Sequence, residues 1–376
     1  MRWPEVVGQL AHEKSFERHI EAYEAVYGKP VTLPLEPLWY PEMDSRTCHL
    51  QEMLTERGFS DYAALHRWSV TERGAFWAYT IFERLRLPFY QEPEAIIRYP
   101  LGTITQPSWL EGARLNIIEA IFRWPAEWEA LVEYREDGSV IRLTYGELQR
   151  QVKGMAGAYQ AQDLKPGQVV AICMPLRYEA VLLYLGALWT GLSVATIPDS
   201  LSGEEIAARL RIVRPEVLFI QDVIVRDGKE IPLYDRLKGQ ALPKSYVLAG
   251  GDRFKVRLRN QSYPFGHFRE GETPIAQGYA AKPTDVIGIL FSSGTTATPK
   301  AIPWTHLTAI KAASDGYFYH DLAPGDRVTW PTNLGWMMGP WLLFAGLVNG
   351  ATVCIYNGAP TGAGFCDFVE KAEISV

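Results

Sequence analysis

The sequence predicts an α/β protein, with a helical N-terminal extension followed by a large domain of two related parallel βαβ sub-sheets. Three observations carry this. Up to about position 87, apolar residues recur at three-and-four spacing among charged ones. Beyond that point, short β-branched runs alternate with apolar helical stretches. One βαβ pattern is also written twice. The first copy opens at Leu164-Lys165-Pro166-Gly167, runs as a strand over 169–174, stops at Pro175, continues as an apolar helix ending at Gly191 and returns as a strand over 193–197. The second opens at Leu322-Ala323-Pro324-Gly325, runs as a strand to Trp330, stops at Pro331, continues as an apolar helix ending at Gly350 and returns over 351–356. The copies lie about 158 positions apart. A Pro-Gly turn, a strand, a crossover helix and a strand imply parallel pairing with both sheet faces covered.

Taken in order, PEVVGQLAHEKSFERHIEAYEAVYG reads as a helix closed by Gly28 and Pro30, and HLQEMLTERGF as a second. A third begins after Trp68-Ser69-Val70, capped by Ser69 or Thr71, with Phe76, Trp77, Ile81, Phe82 and Leu85 as its core stripe. Prolines and glycine through 99–109, YPLGTITQPSW, mark a junction, which divides the chain into an extension over 1–108 and a domain over 109–376. Between the two copies, 204–213 reads as a helix and 217–221 as a strand. The polar, Pro- and Gly-rich stretch 226–282 carries no functional signal.

A length of 376 residues bounds the chain at two or three structural units. A net charge of −6 with no basic tract excludes nucleic acid as a partner. Cys48, Cys173, Cys354 and Cys366 are scattered without a CxxC, and His49 beside Cys48 is poor geometry for a shared metal, so they read as reduced thiols and no metal site is expected. The start, MRWPEVVGQLAHEKSF, has no apolar core of a signal peptide. The longest apolar run, 180–189, falls short of the roughly 18 residues of a membrane span. The expectation is a cytoplasmic protein.

Chemistry concentrates in VIGILFSSGTTATPKAIPWT. A β-branched run over 286–291 reads as a buried strand and empties into six small residues, Ser292, Ser293, Gly294, Thr295, Thr296 and Ala297. Small side chains leave backbone N–H groups open to a ligand. Four hydroxyls beside a glycine, followed by Thr298 and Lys300, supply donors and one positive charge for a nucleoside triphosphate. The competing reading is a plain polar loop. A Walker A loop is excluded, because Pro299 precedes Lys300 and Ala301 follows it, and proline has no N–H for phosphate. Thr305 can cap a following helix, at which His306 reads as a surface or capping residue.

SSGTTATPKA resembles the phosphate-binding loop of the acyl-adenylate-forming, AMP-binding enzymes. That resemblance implies that Ser292, Ser293, Gly294, Thr295, Thr296, Ala297, Thr298 and Lys300 hold the phosphates of ATP while a carboxylate attacks the α-phosphate. Ala297 departs from the Gly or Ser usual there, and a positive φ would strain it by roughly 1 kcal/mol. WSVTERGAFW resembles the extension of acetyl-CoA-synthetase-like members, WLEGARLNIIEAIF the opening of their large domain, and LTYGEL a strand-to-helix motif. In WPTNLGWMMGP, Gly335-Trp336 resembles a pair bordering the carboxylate pocket, which implies an acyl pocket at Trp336, Met337 and Met338; plain core packing is the other reading.

The implied activity is an acid-thiol ligase that uses ATP, Mg²⁺ and CoA on a small carboxylic acid. The resemblance covers 68–376 and leaves the large domain incomplete: a second adenine-and-Mg²⁺ motif, a ribose-binding aspartate and a C-terminal domain with the adenylating lysine have no counterpart here. No catalytic residue is therefore assigned. A C-terminal half or partner subunit is expected, and the chain alone is expected not to make acyl-CoA. The alternative is a catalytically silent chain that binds nucleotide or a partner.

Overall fold

The two βαβ copies build two different sheets. The structure, a computed structural model, describes residues 6, 15–28, 48–251, 253–270, 272–292 and 299–376. Its strands are β1 (Ala95–Arg98), β2 (Ser108–Glu111), β3 (Glu129–Arg135), β4 (Val140–Thr144), β5 (Val169–Cys173), β6 (Ser193–Thr196), β7 (Val217–Gln221) and β8 (Val223–Arg226). There follow β9 (Lys229–Pro232), β10 (Lys244–Leu248), β11 (Ser262–Pro264), β12 (Val286–Ser292), β13 (Lys300–Thr305), β14 (Arg327–Val328) and β15 (Thr352–Asn357). One sheet has seven strands in the order β11-β10-β7-β5-β6-β12-β13, the other four in the order β14-β15-β3-β4. Two antiparallel hairpins, β1–β2 and β8–β9, stand apart from them. The first βαβ copy is β5, the helix Tyr178–Trp189 and β6; the second is β14, the helix Met338–Val348 and β15. Both pairs run parallel, as their sequences predict.

The repeat is longer than its sequence shows. Each copy is preceded by an antiparallel hairpin, β3–β4 or β12–β13, and then by a long helix, Tyr145–Ala161 or His306–Tyr319. The hairpins are exchanged. β3 pairs with β15 of the second copy, and β12 pairs with β6 of the first. In each copy the crossover helix lies against the preceding long helix at a glycine: a Cβ on Gly186 would sit 2.8 Å from Met155 Cβ, and one on Gly316 2.9 Å from Ala345 Cβ. The opening turns match as well, with Gly167 at φ +85° and Gly325 at φ +93°. A side chain at those angles costs about 1–2 kcal/mol, which is why both copies keep glycine there.

Alternation along the central strands buries both faces of the large sheet. In β7, Val217 and Phe219 face the main core with Tyr159 and Phe268, whereas Leu218 and Ile220 face a second core with Ile206, Leu210 and Leu237. The four-stranded sheet repeats this: Leu131 and Val353 join the main core, while Val132 and Cys354 pack against Phe368 of the helix Ala363–Lys371. β13 is an edge strand of the large sheet and carries Pro303, with Ile302 exposed beside it.

By packing density the chain divides into Met1–Glu56 and Arg57–Val376. In the first unit, Ser15 caps the helix Phe16–Tyr27, and Gly28 ends it at φ +79°. The expected junction at 99–109 falls on the 99–107 loop of the β1–β2 hairpin and the first two residues of β2. The third expected helix starts at Arg73, and a separate helix that the sequence did not show, Tyr62–Thr71, precedes it. Asp61, whose carboxylate accepts from Ala64 N–H at 2.8 Å, caps Tyr62–Thr71, while the Ser69 and Thr71 hydroxyls donate back to carbonyls of their own helix. After Arg73–Ala78 the helix widens into a π-turn over Tyr79–Arg84, which shifts the three-and-four register; Ile81 and Leu85 stay buried while Phe82 turns outward.

His306 is not at the surface. It is buried, and its Nδ1 accepts the Ile117 N–H at 3.3 Å. Burial lowers its pKa from 6.5 to about 4, against the opposing pull of Asp285. The unfolded chain takes up this proton near 6.5 and the folded one near 4, so the stability His306 contributes is present above 6.5 and lost as pH falls through about 4. His306→Gln keeps a neutral acceptor without a titration, and should flatten the fall of the urea midpoint across that window. An equally steep fall in both proteins would refute this role.

Candidate functional site

β12 runs parallel to β6, so the chain leaves it at the same end of the sheet as it leaves β5 and β6. Ligands of open α/β sheets bind at these carboxyl ends. At the tip of the hairpin Ser292 pairs across from Lys300, whose side chain is exposed. Ser293, Gly294, Thr295, Thr296, Ala297 and Thr298 lie outside the described residues. As residue types, hydroxyls and the Lys300 ammonium are donors suited to anionic phosphate oxygens. Among the described residues no three of His, Cys, Asp or Glu come together as a metal site.

Facing this end is the segment between β14 and the helix Met338–Val348. Asn333, buried, fixes it: its Nδ2 donates to Met174 O at 2.9 Å and to Asp199 Oδ1 at 3.2 Å, and its Oδ1 accepts from Gly335 N–H at 2.8 Å. Gly335 then lies flat on the turn after β6, where a Cβ would come within 2.3 Å of Pro198 N. Asp199 is 2% exposed and accepts from Arg226 Nη2 at 2.7 Å, while Arg236 donates to its carbonyl at 2.6 Å. Burial pushes the Asp199 carboxyl above its ordinary range, and the two arginines pull it back. A loop of the second copy is thus stitched to the strand ends of the first.

Two cavities flank the stitch. One, about 250 Å³, is the more polar of the two and is lined by Asp199, Arg226, Asn333, Trp336 and Asn357 among others. The other, about 490 Å³, lies between the helix His306–Tyr319 and the 330–341 segment. It is walled by Trp304, Trp330, Met337, Met338 and Trp341, and by a stripe of that helix from Thr308 to Tyr319. His320 meets Trp341 edge-on at 4.8 Å between centroids. Met337 is 59% exposed, whereas Met338 is half-buried against the main core. Trp336 therefore faces the polar cavity, and Met337 and Met338 share the apolar one.

Sequence reading gave no role to Asp199, Arg226 or Asn333. Their signal is weak because each is a single polar residue whose meaning comes from partners 27 to 159 positions away. The tryptophans of the apolar cavity are scattered over 304–341, and the sequence assigns none of them to a site.

The chain belongs to the AMP-binding enzyme family, whose match runs over residues 119–376. Among similar proteins, the hexanoyl-CoA synthase of Cannabis sativa is 34% identical over 370 residues, covering 91% of this chain and 51% of the relative. Probable acyl-activating enzyme 17, peroxisomal, of Arabidopsis thaliana is 35% identical over 367 residues, covering 90% and 50%. The solved acetoacetyl-CoA synthetase from Streptomyces lividans superposes with a TM-score of 0.80 at 25% identity, over 91% of this chain and 55% of that one. The chain spans about half the length of the curated relatives it matches. No helix among the described residues is long and apolar enough to cross a membrane.

Because Gly335 abuts backbone and not a movable side chain, Gly335→Ala should lower stability by about 1–3 kcal/mol and displace the segment. Gly266→Ala meets open space and serves as the control. Equal urea midpoints for the two variants would show that the 335–198 contact is not tight.

Proposed function

We propose that the chain supplies the phosphate loop and the acid-binding wall of an ATP-dependent acyl-CoA synthetase. β13 carries this reading. It begins at Lys300, at the base of the Ser/Thr/Gly loop, and contributes Trp304 to the apolar cavity bounded by Met337 and Met338. Phosphate donors and an apolar wall on one strand match a reaction between ATP and an apolar acid. In that reaction a carboxylate oxygen bonds to the α-phosphorus as pyrophosphate leaves; the CoA sulfur then bonds to the acyl carbon as AMP leaves, and the thiol proton goes to solvent.

Within this scheme Ser292, the hydroxyls and N–H groups of 293–298, and Lys300 would hold the polyphosphate, and Mg²⁺ would supply neutralisation of its charge. Met337 and Met338, flexible and apolar, hold the acyl chain and exclude water. No residue of this chain is assigned as catalytic. The substrate class is a small or medium apolar carboxylic acid, and four free thiols fit a reducing compartment, for which we propose the cytoplasm. One further reading is a chain that binds nucleotide or a partner without turnover.

The test is ATP affinity together with carboxylate-dependent pyrophosphate release, measured for the protein and for its Ser293→Ala/Thr296→Ala variant. The scheme predicts ATP binding that the double variant weakens by at least tenfold per hydroxyl, since each charged hydrogen bond is worth about 1.5–3 kcal/mol. Binding without acid-dependent release would favour the silent reading. ATP affinity indifferent to both substitutions would sink the loop assignment.

A further inference from the structure

A second apolar cavity, about 300 Å³, lies beside the same helix. Trp77, Ile81, Trp109, Leu110, Leu307 and Ile310 line it, and Lys311 borders both this cavity and the larger one. Trp77 and Trp109 meet edge-on at 5.7 Å and form part of its wall. Apart from Lys311 its side chains carry no charge, so it offers dispersion contacts and nothing to an ion.

Lys311 is built as a threshold. Its ammonium is held by Asp315 one turn further along, beside the Tyr319 ring, and its side chain is 52% exposed. With the charge anchored on the side of the larger cavity, the aliphatic stem is the part left to face the smaller one. An apolar chain can cross a row of methylenes without stripping water from the ammonium. A carboxylate or other polar group could not be buried beyond it, because the second cavity has nothing to bond it.

We propose that this second cavity takes the distal end of an acyl chain whose proximal part lies along Met337 and Met338, and that Lys311 is the specificity-determining residue between them. The substrates are then unbranched acids long enough to pass Lys311 and free of polar groups at the far end. This rests on the acid-binding reading of the larger cavity.

The test is calorimetric titration of the 376-residue protein with straight-chain alkanoates from butanoate to dodecanoate. Each buried methylene should tighten binding about fourfold, with the gain continuing into the long acids. Leu307→Trp fills the second cavity with an indole and should end the gain at a shorter chain. Lys311→Asp places a carboxylate at the threshold beside Asp315, and should reduce the ratio of dodecanoate to hexanoate affinity by about tenfold or more. That half-exposed position keeps the test decisive if the indole is not accommodated. Failure of every alkanoate to bind would overturn the acid-binding reading itself. Binding of short acids with the same plateau in all three proteins would overturn this proposal alone.

Discussion

The buried carboxylate of Glu133 is the point on which the two sheets close. It sits on β3 with no exposure and accepts three donors: Arg135 Nε at 2.9 Å, Asn357 Nδ2 at 2.9 Å and the Tyr178 N–H at 2.8 Å. Tyr178 opens the crossover helix of the first copy, whose preceding residue, Arg177, gives no side-chain cap. A carboxylate from the other sheet therefore does the capping, where the helix dipole favours negative charge. Asn357 ends β15, beside the polar cavity. A single carboxylate thus fixes the helix of one sheet against the strand end of the other, at the mouth where the site forms. An isolated buried carboxylate would be prohibitive; three donors, one of them charged, make it tolerable.

Much of the fold was legible because it repeats. The Pro-Gly turns, the stops at Pro175 and Pro331 and the helix-ending glycines are local signals, set by backbone sterics within a few residues. The hairpin exchange was not legible, since β3 pairs with β15 through contacts that no local pattern encodes. The Tyr62 helix was not legible because Ser69 and Thr71 have the chemistry of N-caps but sit inside it, where their hydroxyls reach carbonyls one turn back. His306 was misread for a related reason: beside a capping threonine it looks solvated, and only the distant Ile117 shows that it is enclosed.

The site was legible as chemistry and not as shape. The loop and the Trp336-Met337-Met338 segment stand out in the sequence, but a residue-by-residue reading places all three side chains in one pocket. Met337 closes a turn into the helix Met338–Val348, so consecutive side chains fan out by about 100°. Trp336, before that turn, is sent to the polar side and its two neighbours to the apolar side. Asn333 and Gly335 make the division possible by pinning the segment to Met174 and Pro198.

The exchanged hairpins also bear on how the chain is made. β3 emerges from the ribosome roughly two hundred residues before β15, its parallel neighbour at Val353↔Leu131. Until then its outer edge, and the face that Phe368 will cover, have no native partner. At synthesis rates of about 5–20 residues per second that interval lasts roughly ten seconds or more. Non-local pairing of this kind slows folding and leaves early segments open to mispairing. The first hairpin is the segment that this delay leaves open.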